Sequence, residues 1–275
     1  EIYTLSLHDA LPISSWRAYP SILPAGRQRR IMDALRSEGA VTVESLVPLL
    51  GVSESTVRRD LELLSERGLL SRTHGGAVLP SLSTAFENAY ADKTKAFVEE
   101  KARIGSRAAS LVADGDTLIL DAGSTTLEIA RQLSEHRRLT VLTYDLAIAG
   151  CSEYHSSSSV FLAGGRIRCN FNETLGADTE SFFRDVRVNK AFLGADAIDL
   201  QEGIFNANIA ERSIKQLIVR AAQEVILVAD HSKFGKSALV KICDFSDIDR
   251  VVTDRGLFPE VSQELERQGI PFEAV

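Results

Sequence analysis

Apolar positions in residues 27–80 recur in a pattern that predicts three helices followed by a β-hairpin. In ESTVRRDLELLSERG, apolar residues stand at i, i+4 and i+7 (Val57, Leu61 and Leu64), the spacing that buries one face of a helix. A short apolar helix comes just before it and ends at Gly51. Two helices separated by so short a turn are typical of a helix-turn-helix. A plain three-helix unit with solvated arginines is the alternative.

Polar residues at the helix starts and on the outward face of the last helix are candidates for contacts with nucleic acid. Thr42 and Ser53 can cap the two helices of the motif, and the second of these helices would enter a major groove. The segment LLSRTHGGAVLP contains a Gly-Gly turn and is typical of a β wing. The candidate DNA-binding residues are Thr42, Ser53, Ser55, Thr56, Arg58, Arg59, Arg72, Thr73 and His74.

From residue 93 onward, short apolar strands alternate with helices. This alternation predicts a parallel sheet that is covered by helices on both faces. The predicted fold class is therefore α/β, with an N-terminal winged helix-turn-helix and a C-terminal α/β domain. Ligands of such sheets bind beyond the carboxyl ends of the strands, so the residues that follow each strand are the candidates for a binding site.

The segment DAGSTT, residues 121–126, carries the strongest of these signals. Gly123 permits a tight turn, and the hydroxyl and N–H groups after it stand at a helix start, which suits a phosphate. A capped turn without any ligand is the alternative. Carboxylates after other strands would bind sugar hydroxyls, and a lysine would pair with the phosphate. The candidate effector-binding residues are Asp121, Gly123, Ser124, Thr125, Thr126, Thr143, Tyr144, Gly164, Gly165, Asp196, Glu211 and Lys233.

The amino-acid composition is that of an ordinary globular protein. The 275 residues are 44% hydrophobic and 25% charged, which excludes disordered, collagen-like and small disulfide-rich chains. No apolar run approaches the roughly 18 residues of a membrane span. Three scattered cysteines indicate reduced cytoplasmic thiols, and we expect no metal site and no cofactor.

The net charge of −7 argues by itself against a nucleic-acid partner. Residues 27–80, however, hold eight arginines and seven acidic residues, so the acidity lies elsewhere in the chain. Residues 27–80, called the head below, carry a net charge of only +1. The head would therefore bind DNA through a few well-placed arginines and through the avidity of two heads that bind together.

The segments outside the two predicted domains lack clear periodicity. We expect residues 1–26 to be a non-native or disordered leader, since EIYTLSLHDALPIS resembles translated adapter sequence; a native N-terminal arm is the alternative. Residues 81–92 are expected to be an extended linker before the effector domain, residues 93–275. A helix over residues 93–111 should dock on that domain, with Phe97 among its buried contacts. One continuous helical lever is the alternative to the extended linker.

The string VTVESLVPLLGVSESTVRRDLELLSERGLLSRTHGGA resembles the DNA-binding domain of the DeoR family of bacterial repressors. The strings DGDTLILDAGSTT, LAGG, AFLGADAID, ADHSKFG and DIDRVVTD resemble the sensor domain of the same family, which is similar to sugar-phosphate isomerases. The resemblance implies a repressor of a sugar catabolic operon that binds double-stranded operator DNA as a homodimer or homotetramer. It also implies a phosphorylated sugar as effector, with its phosphate at Gly123 to Thr126 and with Asp121, Asp196, Glu211 and Lys233 lining the pocket.

Two departures from related patterns bear on function. The family usually has Thr-Asn where this chain has Thr143-Tyr144, so the effector could differ or the pocket could be partly filled. The isomerases carry Asp-Gly-Ala-Asp where this chain has Leu193 to Asp196, and their Lys-Gly-Gly-Gly run has no counterpart here. We therefore expect a sensor that is not an enzyme. A sugar-phosphate isomerase with an accessory DNA-binding domain is the alternative.

Overall fold

The computed structural model describes residues 23–66, 69–73, 75–78, 87 and 90–275. The chain divides between residues 82 and 83 into two compact units. Within the described residues, no helix is long and apolar enough to cross a membrane.

The described residues of the first unit form three helices and a small antiparallel sheet. In chain order its elements are α1 (Pro24–Glu38), β1 (Ala40–Thr42), α2 (Val43–Leu50), α3 (Glu54–Glu66), β2 (Ser71–Thr73) and β3 (Gly76–Val78). Val57, Leu61 and Leu64 are buried among apolar residues of α1 and α2, as the helical spacing predicts. Helix α1 begins at Pro24, three residues before the boundary predicted at residue 27, because proline suits the first turn of a helix.

The caps of the helix-turn-helix agree with the sequence pattern. Thr42 and Ser45 form a capping box at α2, in which the Ser45 N–H donates to Thr42 Oγ1 (3.0 Å) and the Thr42 N–H donates to Ser45 Oγ (3.1 Å). Gly51 ends α2 in the left-handed conformation. Helix α2 runs through Pro48 to Leu50. The turn to α3 is therefore as short as predicted.

The predicted hairpin is joined by a third strand, β1, which the sequence pattern did not predict. Strand β3 pairs with β2 on one side and with β1 on the other, and Gly76 lies opposite Thr42 in the β1–β3 register. A Cβ atom on Gly76 would lie 1.9 Å from the Val41 carbonyl oxygen, so the backbones of the two strands approach too closely for any side chain.

Replacing Gly76 with alanine is therefore expected to destabilise the first unit by about 1–3 kcal/mol, the usual cost of overpacking. Gly75 is the matched control, because a Cβ there would meet no atom within 4 Å. The Gly75→Ala protein should stay within about 0.5 kcal/mol of the parent. Denaturant unfolding of both variants measures the difference, and equal stabilities would contradict the close approach.

The second unit is built on a parallel sheet of seven strands. Its helices are α4 (Tyr90–Lys93), α5 (Val98–Ala109), α6 (Ser124–Ala130), α7 (Leu146–Ala149), α8 (Ala177–Arg184), α9 (Arg212–Ala221) and α10 (Pro259–Gln268). Its strands are β4 (Thr117–Leu120), β5 (Thr140–Thr143), β6 (Ser159–Leu162), β7 (Arg166–Arg168), β8 (Glu173–Leu175), β9 (Val188–Leu193), β10 (Ala197–Asp199), β11 (Gly203–Asn206), β12 (Ala222–Val228), β13 (Val240–Cys243), β14 (Arg250–Thr253) and β15 (Phe272–Ala274).

The seven strands lie in the order β15-β14-β12-β9-β4-β5-β6, and every pair is parallel. Successive residues of β4 enter different cores: Leu118 packs in the same cluster as Ile104 of α5, whereas Ile119 packs with Ile218 of α9. Both faces of the sheet are therefore buried, as predicted. Strands β10, β11 and β13 form a separate antiparallel sheet, so the segment KAFLGADAID divides between two sheets.

The helix predicted over residues 93–111 is wrong at its start. Helix α5 begins only at Val98, and residues 94–97 separate it from the short helix α4. Phe97 adopts a left-handed backbone conformation (φ 53°), which interrupts the helix. Its side chain is 40% exposed and meets the His231 ring edge-on (5.1 Å between centroids) instead of entering the core. A continuous helix through residues 90–111 is thereby excluded.

Candidate functional site

The exposed face of α3 carries the candidate base-reading residues. Ser55, Arg58 and Arg59 are exposed, because the buried positions of the helix face α1 and α2. The Arg58 guanidinium lies 3.2 Å from Glu54, but both side chains are more than half exposed, so this pair contributes little to stability. Arg58 can therefore exchange that carboxylate for another acceptor.

The remaining candidates of the first unit lie at its caps and in its wing. Ser53 Oγ accepts a hydrogen bond from the Thr56 N–H (3.4 Å), so both residues take part in the cap of α3. Arg72 and Thr73 are exposed on β2. His74, the last of the predicted DNA-binding residues, lies outside the described residues.

A buried ion pair positions α3, and the sequence pattern did not single it out. The Arg27 guanidinium of α1 donates to both carboxylate oxygens of Asp60 (2.7 and 3.2 Å). The Asp60 side chain is only 4% exposed. This bidentate salt bridge ties α3 to α1 at Asp60, the residue directly after Arg59. It therefore fixes the orientation of the helix that carries the exposed arginines.

In the second unit, four residues meet at the carboxyl edge of the parallel sheet. Asp121, which follows β4, accepts hydrogen bonds from the Tyr144 hydroxyl (2.7 Å), the Gly194 N–H (2.8 Å) and the Lys215 ammonium. Lys215 lies on α9 and also donates to the Gly194 carbonyl oxygen (3.1 Å). This network joins the ends of three strands, β4, β5 and β9, to one helix.

Three predicted effector-binding residues turn out to lie beneath the surface. Asp121, Thr143 and Tyr144 are each 0% exposed. Tyr144 packs edge-on against Phe183, and burial raises the pKa of its hydroxyl well above the ordinary value, so the hydroxyl stays a donor to Asp121. The three side chains have no exposed surface in the structure and form the floor under the edge, so their contact with a ligand stays a prediction.

The loop after β4 has the geometry of a helix start. Gly123 (φ 153°) precedes α6, and the N–H groups of the first helical turn, at residues 124–126, have no acceptor within the helix. Ser124 is 9% exposed and Thr125 is half-buried. The Gly123 N–H donates to Asp145 (3.1 Å), and Thr126 Oγ1 donates to the Gly123 carbonyl. The groups that the helix itself leaves for a ligand are therefore the backbone N–H groups of residues 124–126.

Asp145 holds this loop against the next strand end. One of its oxygens accepts the Gly123 N–H, and the other accepts the Ala147 and Ile148 N–H groups at the start of α7 (2.7 and 3.1 Å). Burial raises the pKa of Asp145 to about 6, although the three N–H donors oppose the shift. Asp145 directly follows the predicted binding residues Thr143 and Tyr144 but is not among the candidates that the sequence predicts.

This raised pKa predicts a specific pH dependence of stability. Between about pH 4 and pH 6 the folded protein keeps a proton on Asp145 that the unfolded chain has released, so the free energy of unfolding falls as pH rises, by at most about 1.4 kcal/mol per pH unit. The Asp145→Asn variant lacks this proton, and its stability should fall less over the same window. Denaturant unfolding from pH 4.5 to 7.5 gives both slopes; parallel profiles would contradict the assignment.

A second polar cluster surrounds the Arg168 guanidinium at the end of β7. It donates to Glu87 (2.7 Å), Glu173 (2.9 Å) and Glu211 (3.3 Å), and it lies over the Phe171 ring. Burial raises the pKa of Glu173 and of Glu211 above the usual carboxyl range, and the proximity of the two carboxylates raises that of Glu211 further. Glu211, predicted as a binding residue, is thus part of a set of three acids around one arginine.

The loop after β11 presents further hydrogen-bonding groups beside this cluster. The Asn206 and Asn208 side-chain amides donate to the two Glu211 oxygens (2.7 and 3.1 Å), and the Ala207 N–H donates to Asp196 (3.1 Å). The Asp196 side chain is 15% exposed; its partial burial would raise its pKa, but the charges of Lys93 and Lys233 hold that pKa below the ordinary value.

The structure thus brings together most of the predicted effector-binding set. The Asp196 carboxylate lies 2.9 Å from the Lys93 ammonium and is stabilised by the charge of Lys233, and Glu211 lies in the adjacent acidic cluster. Gly164 and Gly165 are different: they form an exposed turn whose contacts run to Thr179, which donates to the Gly164 carbonyl (2.6 Å). Among the described residues, no group of three or more His, Cys, Asp or Glu side chains could hold a metal ion, and the three cysteines are free.

The sequence analysis missed the cations that organise the site. Lys215 stands between Ile214 and Ile218 on the buried face of α9, and a lysine amid apolar positions at helical spacing is a usable signal of a buried ion pair. Arg168 and Lys93 gave no such signal, because Arg168 lies in an irregular stretch and Lys93 was expected only as the first residue of the docking helix over residues 93–111.

Comparison with known proteins gives consistent matches over both units. Residues 27–82 match the DeoR-like helix-turn-helix domain, and residues 96–255 match the DeoR C terminal sensor domain. The chain is 36% identical to the HTH-type transcriptional regulator GlpR of Haloferax volcanii, over 90% of this chain and 97% of that protein. It is 34% identical to the glycerol-3-phosphate regulon repressor of Escherichia coli K12, over 83% of this chain and 90% of that protein. Among solved structures, ribose 5-phosphate isomerase A of Methanocaldococcus jannaschii overlaps 50% of this chain and 55% of its own, with a TM-score of 0.37 and 18% identity.

Proposed function

Since the chain belongs to the DeoR family of transcriptional regulators, we propose that it represses a sugar catabolic operon and that a phosphorylated sugar relieves the repression. The observation that carries this proposal is the pairing, in one chain, of an exposed basic helix in a helix-turn-helix with a polar site at the carboxyl edge of a parallel sheet. The protein would act in the cytoplasm, where the operator is accessible.

The DNA-binding part of the proposal rests on α3 and the wing. Ser55, Arg58 and Arg59 supply donors on one helix face, and arginine is the residue that most often reads guanine in the major groove. Arg72 and Thr73 would contact the neighbouring backbone. Because the head is only slightly basic, a single copy should bind weakly, and we propose that the protein binds its operator as a homodimer or homotetramer.

The effector part rests on the arrangement of charge at the sheet edge. The N–H and hydroxyl groups of residues 124–126, together with Lys233, would hold a phosphate. Asp196, Glu211 and the Asn206 and Asn208 amides would hydrogen-bond the hydroxyls of the sugar. Sugar phosphates fit this combination because they place a dianion a few bonds away from several hydroxyl groups.

We also propose that the site binds without turning its ligand over. Leu193 stands where the isomerase pattern has a carboxylate, and it is 0% exposed within the apolar core. No base can act from that position. A coupled assay with ribose 5-phosphate tests this point, and measurable isomerisation would overturn it.

The proposal is tested by operator selection followed by effector titration. Genomic fragments that the purified protein retains would define an operator, and fluorescence anisotropy of a labelled operator would measure its release by sugar phosphates. Sugars that raise the melting temperature of the protein identify the ligand, since a ligand stabilises the state it binds. Retention of no specific sequence, or release by no sugar phosphate, would contradict the respective half of the proposal.

Replacing Lys233 with alanine is expected to yield a repressor that binds its operator normally but no longer releases it in response to the effector, because the phosphate loses its charge partner. The loss of a charge-assisted hydrogen bond corresponds to about 1.5–3 kcal/mol, or roughly a 10- to 150-fold weaker effector. Lys241→Ala is the matched control, since Lys241 pairs with Asp244 on another sheet. Normal induction of Lys233→Ala would exclude Lys233 from the phosphate site.

A further inference from the structure

A short piece of the chain at the predicted boundary between the linker and the effector domain contacts the residues proposed to bind the effector. This piece, Glu87 together with residues 90–97, is called the strap below. The Lys93 ammonium lies 2.9 Å from Glu87 and 2.9 Å from Asp196. Glu87 in turn accepts a hydrogen bond from Arg168 (2.7 Å), the residue that also binds Glu211. The side chains in these pairs are no more than 23% exposed, so solvent screens them poorly.

The backbone of the strap is also tied to the proposed phosphate loop. The Lys93 carbonyl accepts hydrogen bonds from Ser124 Oγ (3.4 Å) and from the Lys101 ammonium. Lys101 donates as well to the Ala96 carbonyl (2.7 Å), and burial lowers the pKa of Lys101 to about 8. At the end of the strap, Phe97 lies against the His231 ring, two residues before Lys233.

These contacts use the same groups that a sugar phosphate would need. Ser124 donates to the strap instead of to a phosphate oxygen, Asp196 binds an ammonium instead of a hydroxyl, and Arg168 holds Glu87 beside Glu211. A ligand can satisfy these groups only after the strap has given them up. Conversely, if Lys93 leaves Asp196, Glu87 loses one of its two cations and its bond to Arg168 is weakened. We therefore expect the contacts of the strap to be lost together.

We infer that the strap is an autoinhibitory element, which occupies the effector site in the ligand-free protein and which a phosphorylated sugar displaces at Lys93 and Glu87. The inference rests on the proposed function for the identity of the ligand. Residue 82 ends the first unit, so the strap belongs to the chain segment that leads directly from the DNA-binding head. Displacement would therefore free the segment that connects the head to the sensor and lower the affinity for the operator. By linkage, effector and operator must then oppose each other's binding by the same factor.

The test uses the full-length chain with Lys93→Met and Glu87→Gln, two variants that remove the ion pairs while keeping side chains of similar length. Lys95→Met is the matched control, because Lys95 is exposed on the same segment and takes part in none of these pairs. Hydrogen exchange of residues 90–101 reports whether the strap is in place. Calorimetric titration with inorganic phosphate and with ribose 5-phosphate reports the affinity of the site, and operator anisotropy reports the coupling to DNA.

Both variants should exchange faster over residues 90–101 than the parent does, bind the two probes on the order of tenfold more tightly, and bind the operator correspondingly less tightly without ligand. Lys95→Met should match the parent in all three measurements. Unchanged exchange and unchanged probe affinity in both variants would overturn the inference, even if the parent binds operator and effector as proposed. Failure of the parent to bind any operator would instead contradict the proposed function, while faster exchange in the variants would still support the strap.

Discussion

The Arg58→Ala and Arg59→Ala variants are expected to lose specific operator binding while their fold stays intact. Both side chains are exposed on α3, and neither contributes to the apolar core of the first unit. A bidentate arginine–guanine contact contributes about 1–3 kcal/mol to specific binding, and the proposed homodimer would lose one such contact in each half-site. The expected loss is therefore on the order of 100-fold or more in operator affinity. Anisotropy titration against the selected operator measures it, with circular dichroism to verify the fold.

Arg30→Ala is the matched control for this prediction. Arg30 is exposed on α1 and carries the same charge in the same unit. Its removal should weaken binding to all sequences slightly and reduce the salt dependence, without changing specificity. If Arg30→Ala is as damaging as Arg58→Ala, overall charge rather than the placement of α3 would account for binding. Unchanged affinity in both α3 variants would exclude α3 as the reading helix.

Replacing Lys215 with methionine is expected to produce the largest loss of stability in the second unit. Lys215 and Asp121 are 1% and 0% exposed, and the substitution leaves a buried carboxylate without its cation. Removing one partner of a buried pair costs about 3–5 kcal/mol, which lowers the melting temperature by roughly 6–20 °C in a unit of this size. Burial alone would lower the pKa of Lys215, but the charge of Asp121 outweighs burial and raises that pKa above the ordinary lysine value. The contribution of the Lys215–Asp121 pair to the free energy of unfolding is therefore fully present below the ordinary lysine pKa and is lost only at high pH.

The double variant Lys215→Met, Asp121→Asn distinguishes loss of charge pairing from loss of packing. Asparagine removes the uncompensated charge, so the double variant should recover much of the lost stability. Calorimetry on the single and double variants at pH 7 gives the comparison. If Lys215→Met is as stable as the parent, the ion pair does not stabilise the unit. If the double variant is no more stable than Lys215→Met, the lost stability comes from packing and not from the unpaired charge.

Much of the fold followed from apolar spacing alone. Val57, Leu61 and Leu64 predict the buried face of α3, and the apolar runs around Ile119 and Leu227 predict strands of a parallel sheet. These patterns are strong because burial of one helix face, or of both sheet faces, constrains every residue along the element. Short pairings such as β1 with β3 leave no such pattern, because three residues are too few to show a period.

The candidate site was predictable from the sequence only in part, for a related reason. Residues that follow strands, such as Asp121 and Asp196, could be chosen by position, but position does not tell whether a side chain is exposed. Asp121 is buried because Lys215, ninety-four residues away in sequence, neutralises it. Lys93 was expected to begin the docking helix, and its contact with Asp196 arises from tertiary structure that no local pattern records.

The central claim is that one chain couples operator binding at α3 to a phosphorylated sugar at the sheet edge. The most direct test adds phosphorylated sugars, and their unphosphorylated counterparts, to the preformed complex of wild-type protein and labelled operator. The account predicts that at least one phosphorylated sugar releases the operator in a saturable manner, that its unphosphorylated form does not, and that Lys233→Ala abolishes the response. Release by the unphosphorylated sugar at the same concentration, or an operator complex that no sugar phosphate affects, would contradict it.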